Sequence, residues 1–205
     1  MAQFFAVHPE NPQARLIRQA AQIVREGGVI VYPTDSCYGL GCNVASKDAV
    51  ERVRAIRGVE EDHRLSLVCR DLAEISRYAR VDNRQYRILK SATPGPYTFI
   101  LKASREVPRR LQRRDTIGLR IPDHRVAQSL LTELGEPLLN ATLLLPGDEL
   151  PLNDPQEIRE RLEREVDAVL AAGPCEAEMT TVIDLVGEAP RVLREGLGAL
   201  SRLGL

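Results

Sequence analysis

Thr34, Asp35, Ser36 and Tyr38 crowd four polar side chains into five positions, directly after the apolar run Val29 to Tyr32 and Pro33. Polar groups gathered just past a buried strand commonly line a ligand cleft, because the strand holds them still while the loop exposes them. An ordinary proline turn, with Asp35 and Ser36 bonding nearby amides, fits the same residues, so the segment alone leaves both readings open. Gly39-Leu40-Gly41 lacks the third glycine of a dinucleotide fingerprint and lies in a strand pattern, and no GxxxxGK[ST] phosphate loop occurs. His8, His63 and His124 are scattered, and only His63 falls in a charged loop beside the proposed cleft. Nothing near Cys37 in sequence favours a thiolate, so it reads as a small packing residue. Arg109, Arg110, Arg113 and Arg114 either track a nucleic-acid backbone or form a solvated face.

Elements that could position these groups follow from periodicity. Asn11-Pro12 reads as a cap and first-turn proline for a helix carrying Ile17, Ala20, Ala21 and Val24 up to Gly27-Gly28. Val29 to Tyr32 is too short for a helix and apolar throughout, which predicts a strand buried on both faces. A second helix runs from a Ser46 cap to Gly58, Asp71 and Asp82 cap two more, and others cover Arg125 to Leu134 and Asp154 to Arg164. Val59 to Arg64 is charged and unpatterned. Strands are predicted at 65–69, 97–102, 116–121, 137–145, 168–170, 181–185 and 191–194, and connections of both hairpin and helix length imply a mixed sheet flanked by helices.

Composition bounds the function classes. The chain has 205 residues, 43% hydrophobic, enough for one substantial core, but only 4% aromatic with no Trp, so Leu, Ile, Val and Ala must carry packing with Phe99 and a few Tyr. With 28 basic and 29 acidic residues, a formal charge of −1 gives no global attraction for nucleic acid, so any anion site must be local. Lys occurs only at Lys47, Lys90 and Lys102, and the remaining cations are Arg, whose planar fork suits phosphate and carboxylate. Cys37, Cys42, Cys69 and Cys175 form no disulfide framework and no CxxC zinc pair, no metal ligands are assigned, and no secretory leader or run of about eighteen apolar residues is visible. A cytoplasmic protein without membrane contact is expected.

Residues 29 to 42, Leu65 to Arg70, Thr93-Pro-Gly-Pro-Tyr-Thr-Phe-Ile-Leu101, Thr116-Ile-Gly-Leu-Arg-Ile-Pro-Asp123 and Thr180-Thr-Val-Ile-Asp184 resemble, in this order and over nearly the whole chain, the YrdC/YciO family. Gln3-Phe-Phe, Pro108-Arg-Arg-Leu111 and Val192 to Gly196 are most similar to its YciO branch. The resemblance implies one α/β YrdC-like domain over 1–205, core about 14–200, with a twisted mixed sheet and a large concave groove of positive potential. It also implies binding of ATP or an AMP-containing ligand, and of tRNA or double-stranded RNA. The family's activity is L-threonylcarbamoyladenylate synthase: ATP as substrate is joined with threonine and bicarbonate for tRNA modification, usually with a divalent metal such as Mg2+ balancing phosphate charge.

By the same resemblance Thr34, Ser36 and Tyr38 sit where the family places substrate contacts, and Thr98, Thr116, Arg120, Thr181 and Arg194 fall on the nucleotide side of the cleft. The catalytic positions are altered. A K-x-R motif and a further Lys fall on Arg57, Val59 and His63, and an S-x-N motif falls on Thr142 and Leu144. Losing one preorganised donor costs about 2.7 to 4 kcal/mol of transition-state stabilisation, which implies weak or divergent synthase activity. The alternative is a non-catalytic RNA-binding module that keeps the groove without the reaction.

Overall fold

In the computed structural model, which describes residues 1–60 and 63–204, one 11-stranded sheet organises the chain in the order β1-β9-β2-β3-β8-β4-β7-β6-β10-β11, with β5 pairing β6 off this path. The strands are β1 (Gln3–Ala6), β2 (Val29–Tyr32), β3 (Gly39–Asn43), β4 (Ser66–Val68), β5 (Ala79–Arg80), β6 (Tyr97–Ala103), β7 (Thr116–Arg120), β8 (Leu138–Thr142), β9 (Ala168–Ala171), β10 (Thr181–Asp184) and β11 (Arg191–Arg194). The helices are α1 (Ala14–Arg25), α2 (Lys47–Arg57), α3 (Leu72–Tyr78), α4 (Asn83–Ala92), α5 (Arg125–Leu134) and α6 (Pro155–Leu162). Pairing is mixed: β2 is antiparallel to β3 and parallel to β9, and β4 is parallel to β7 and antiparallel to β8. The sequence's expectation of a mixed α/β sheet flanked by helices is met.

Caps explain most helix boundaries. Ser46 accepts from Ala49 N, Asp71 from Glu74 N, and Asp154 from Gln156 and Glu157 N, each satisfying amides that have no intrahelical partner. Asp82 and Gln85 form a reciprocal capping box, and Gly58 ends α2 with φ 60°. The start of α1 corrects the sequence reading: the helix opens at Ala14 after Gln13, without a side-chain cap. Asn11 lies outside it because its amide, like that of Glu10, donates to His8 Nδ1 in a separate turn. Of the stretch Val59 to Arg64, residues 61 and 62 lie outside the described residues.

Two apolar clusters sandwich the sheet. Val29, Val31, Leu67, Phe99, Leu119 and Leu139 pack with residues of α2, α3, α4 and α6. Ile30, Tyr32, Val68, Leu138 and Leu170, from the other side of their strands, pack with α1 and α5. Tyr32, Tyr38, Tyr97 and Phe99 are among the largest fully buried side chains, so the few aromatics are indeed central. Among the described residues no helix is long and apolar enough to cross a membrane.

Candidate functional site

The second face of the sheet is only partly covered. Because side chains alternate along a strand, Ser66, Thr98, Ile100, Gly118, Arg120, Asn140, Thr142 and Val182 share that face, yet none belongs to either apolar cluster. A cavity of about 250 Å3 opens over them, its wall completed by Arg57 from the end of α2, by His63 and Arg64 from the following loop, and by Met179, Thr180 and Arg194. It therefore gathers Arg57, His63, Thr98, Arg120, Thr142 and Arg194, six residues whose sequence separation spans most of the chain.

The turn after β2 stands behind this cavity. Thr34 Oγ1 donates to Cys37 O at 2.6 Å and lies 3.1 Å from Ser36 Oγ, and both hydroxyl residues are buried. Arg120 donates to Ser36 Oγ at 3.4 Å and to Asp35 Oδ1, whose other oxygen accepts Asp123 N at 2.9 Å. The polar cluster thus positions a cavity arginine, and neither Thr34 nor Ser36 lines the hollow.

Three more residues expected at the ligand lie elsewhere. Tyr38 is buried in the opposite cluster, its hydroxyl donating to Gly173 O at 2.8 Å and accepting from Ala172 N. Thr181 Oγ1 is tied to Gly198 O and Gly196 N, because alternation along β10 turns it from the open face; its neighbour Thr180 lines the cavity instead, 2.9 Å from Thr98 Oγ1. Thr116 lines a second hollow of about 710 Å3 together with Arg80, Lys102, Arg105, Arg109 and Arg114. Its hydroxyl donates to Arg113 O and accepts from Arg64 Nη1 at 3.3 Å, so Arg64 stands between the two hollows. Arg110 points away and holds the carbonyls of Val44 and Ala45.

Among the described residues, cations outnumber carboxylates around the smaller cavity. Arg120 is neutralised by Asp35, but Arg57, Arg64 and Arg194 form no salt bridge with a described carboxylate. Burial pushes the guanidinium groups of Arg57 and Arg194 below their usual value, the direction expected of cations partly removed from water, whereas exposed Arg64 is lowered by burial and by Arg113 and Arg114 against the opposing pull of Asp184. Nε of Arg57 is buried with no partner among the described residues, while Arg194 is aimed by its bonds to Thr180 O. Burial also pushes the Cys37 thiol up, against the opposing pull of Arg120, a Ser36 hydrogen bond, Arg194 and Arg57; the thiol stays protonated.

Reading along the sequence missed Ser66, Arg64, Asn140 and Thr180. Alternation was the available signal: Thr142 on the open face puts Asn140 there too. No group of three His, Cys, Asp or Glu among the described residues could hold a metal, and both Asp35 oxygens are committed. The described residues therefore offer no protein ligand set for Mg2+, which takes carboxylates as well as phosphates. What the site offers is a preorganised set of cations and hydroxyls, the equipment for holding a phosphate or carboxylate.

Comparison with known proteins places this fold in a family. The Sua5/YciO/YrdC family model, described as "Telomere recombination", matches residues 22–196. Protein YciO of Escherichia coli (strain K12) is 54% identical over 200 residues, covering 97% of each chain, and its crystal structure superposes with a TM-score of 0.95 at 53% identity over 99% of this chain and 100% of that one. A threonylcarbamoyl-AMP synthase of Halorhodospira halophila is 33% identical over 164 residues, 79% of this chain and 85% of its own. P. abyssi Sua5, solved with L-threonine, gives a TM-score of 0.86 at 27% identity over 94% of this chain and 57% of that chain. By model, sequence and fold alike, this chain belongs to the Sua5/YciO/YrdC family.

Proposed function

We propose that this protein binds a nucleotide through its phosphates in the smaller cavity and acts as a divergent enzyme of the threonylcarbamoyl-AMP synthase type. The observation that carries the reading is the pair Arg57 and Arg194, partly desolvated around one hollow with no salt bridge to a described carboxylate, with the exposed Arg64 lining the same hollow. A triphosphate supplies the missing negative charge, and arginine forks suit its oxygens. Thr98 and Thr180, paired at 2.9 Å, and Thr142 add neutral donors beside them. In the synthase reaction a carbamate oxygen of N-carboxythreonine attacks the α-phosphorus of ATP and pyrophosphate leaves; cations around the phosphates stabilise the charge that builds on both. Any Mg2+ would arrive on the phosphates.

Divergence is supported by Leu144, which carries no polar group and lies outside the cavity lining, and by Val59, whose apolar side chain stands where the family has a cation. The protein is expected to release pyrophosphate slowly, or to process a related adenylate. Incubation with radiolabelled ATP, L-threonine and bicarbonate, with chromatographic detection of threonylcarbamoyl-AMP, tests this. Absence of product together with absence of ATP binding would overturn the reading.

The second hollow favours one further role. Arg80, Lys102, Arg105, Arg109 and Arg114 line a groove adjoining the nucleotide cavity through Arg64, a shape and charge suited to an RNA backbone. Binding of tRNA or double-stranded RNA there would weaken steeply with salt. A non-catalytic RNA-binding protein would show that affinity with no turnover of ATP.

A further inference from the structure

Glycines 39 and 41, which match no nucleotide-binding pattern, have a steric task. A Cβ on Gly39 would lie 2.4 Å from Asn140 Oδ1, and one on Gly41 would lie 2.9 Å from Tyr32 Cε1. Their bare backbone lets the Tyr32 ring pass from β2 across β3 and reach Asn140 on β8, where the phenol donates to Oδ1 at 2.7 Å. Tyr32 is fully buried and makes no other side-chain hydrogen bond, so the amide must present its oxygen to Tyr32 and its nitrogen to the other side. Burial holds the Tyr32 phenol far above its usual titration range, and it remains a donor. One Asn140 amide hydrogen is taken by Ser66 Oγ at 3.3 Å. The second has no acceptor among the described residues, and Asn140 lines the cavity.

We propose that Asn140 is a specificity-determining ligand contact, its second amide hydrogen donating to a carbonyl or carboxylate oxygen at the phosphate-free end of the ligand, with Tyr32 as the positioning residue that aims it. The gradient of charge supports that division. Asn140 and the neutralised Arg120 are buried at the floor, whereas Arg57 and Arg194 are half-buried and Arg64 is exposed. Phosphates meet the unbalanced arginines and the smaller polar end reaches the amide. The inference rests on the cavity being a ligand site, as proposed above, but not on ATP being turned over there.

The test is nuclear magnetic resonance of the 15N-labelled protein, with the Asn140 side-chain amide assigned by its loss in Asn140→Ser. The probes are L-threonine, alone and with AMP, and inorganic pyrophosphate. The expected result is a shift of the Asn140 amide with L-threonine and none with pyrophosphate, and threonine affinity roughly tenfold weaker in Asn140→Ser, the worth of one hydrogen bond to a charged acceptor. Tyr32→Phe keeps the ring and removes the aiming bond. It should weaken threonine binding in the native background and have no further effect in Asn140→Ser, an interaction that a merely structural role would not produce. An Asn140 amide unmoved by threonine overturns the inference, and if pyrophosphate still binds, the arginine site survives without it. Movement with pyrophosphate alone also overturns it, and silence toward every probe overturns this inference and the nucleotide reading together.

Discussion

Arg120 and Asp35 form an ion pair in which the two side chains are only 5% and 9% exposed, and the second carboxylate oxygen is held by Asp123 N at 2.9 Å. This pair joins the turn after β2 to the end of β7, so the hydroxyl-rich turn braces an arginine that lines the cavity.

Breaking a buried pair strands a charge, and Asp35→Asn leaves Arg120 without its counter-ion. Unfolding in urea should show a loss of about 3 to 5 kcal/mol. A change below about 0.5 kcal/mol, the ordinary range of a surface substitution, would mean the pair is solvated and the turn does not brace the site.

Arg57→Ala should behave in the opposite way. Among the described residues its Nε has no partner and it forms no salt bridge, so the substitution removes a partly buried charge and the melting temperature should hold or rise. Thermal unfolding of the apo protein reads this directly; a marked fall would show that Arg57 serves the fold.

At Gly39 a methyl group would intrude 2.4 Å from Asn140 Oδ1 and 3.3 Å from Tyr32 Cε1. Gly39→Ala should cost about 1 to 3 kcal/mol in denaturant unfolding, the range of core overpacking. Unaltered stability would contradict the close crossing of Tyr32 over β3.

His124 caps α5, its Nδ1 accepting Val126 N at 3.2 Å, and burial lowers its pKa below 6.5 against the opposing pull of Asp35, Glu10 and Asp123. The unfolded chain therefore binds the proton more readily. The contribution is complete above about pH 6.5 and is lost as pH falls from there through the lower folded value. Stability measured from neutral to mildly acidic pH should fall faster for the native protein than for His124→Asn, which can cap but cannot titrate; parallel curves would remove His124 from the account.

Much of this was legible in the chain. Val29 to Tyr32 and Arg125 to Leu134 declare themselves by a short apolar run and by helical spacing, and the structure reproduces both spans. Gln3–Ala6 escaped notice because only Phe5 of that edge strand is buried. At the site, Arg57, Arg120 and Arg194 converge as the family pattern implied, but Thr181 and Thr180 changed places, since a motif marks a segment while strand alternation decides which of two neighbours faces the ligand. The Tyr32 to Asn140 bond joins residues 108 positions apart and depends on two glycines between the strands, so no local pattern could announce it.

The central claim is that Arg57, Arg64 and Arg194 wait for the phosphates of a nucleotide, and calorimetric titration with ATP, for the native protein and for Arg57→Ala, addresses it most directly. The account predicts one saturable site that weakens as salt is added and loses about 1.5 to 3 kcal/mol in the variant, the worth of a charged hydrogen bond. No binding by the native protein, or equal affinity in the two, would contradict it.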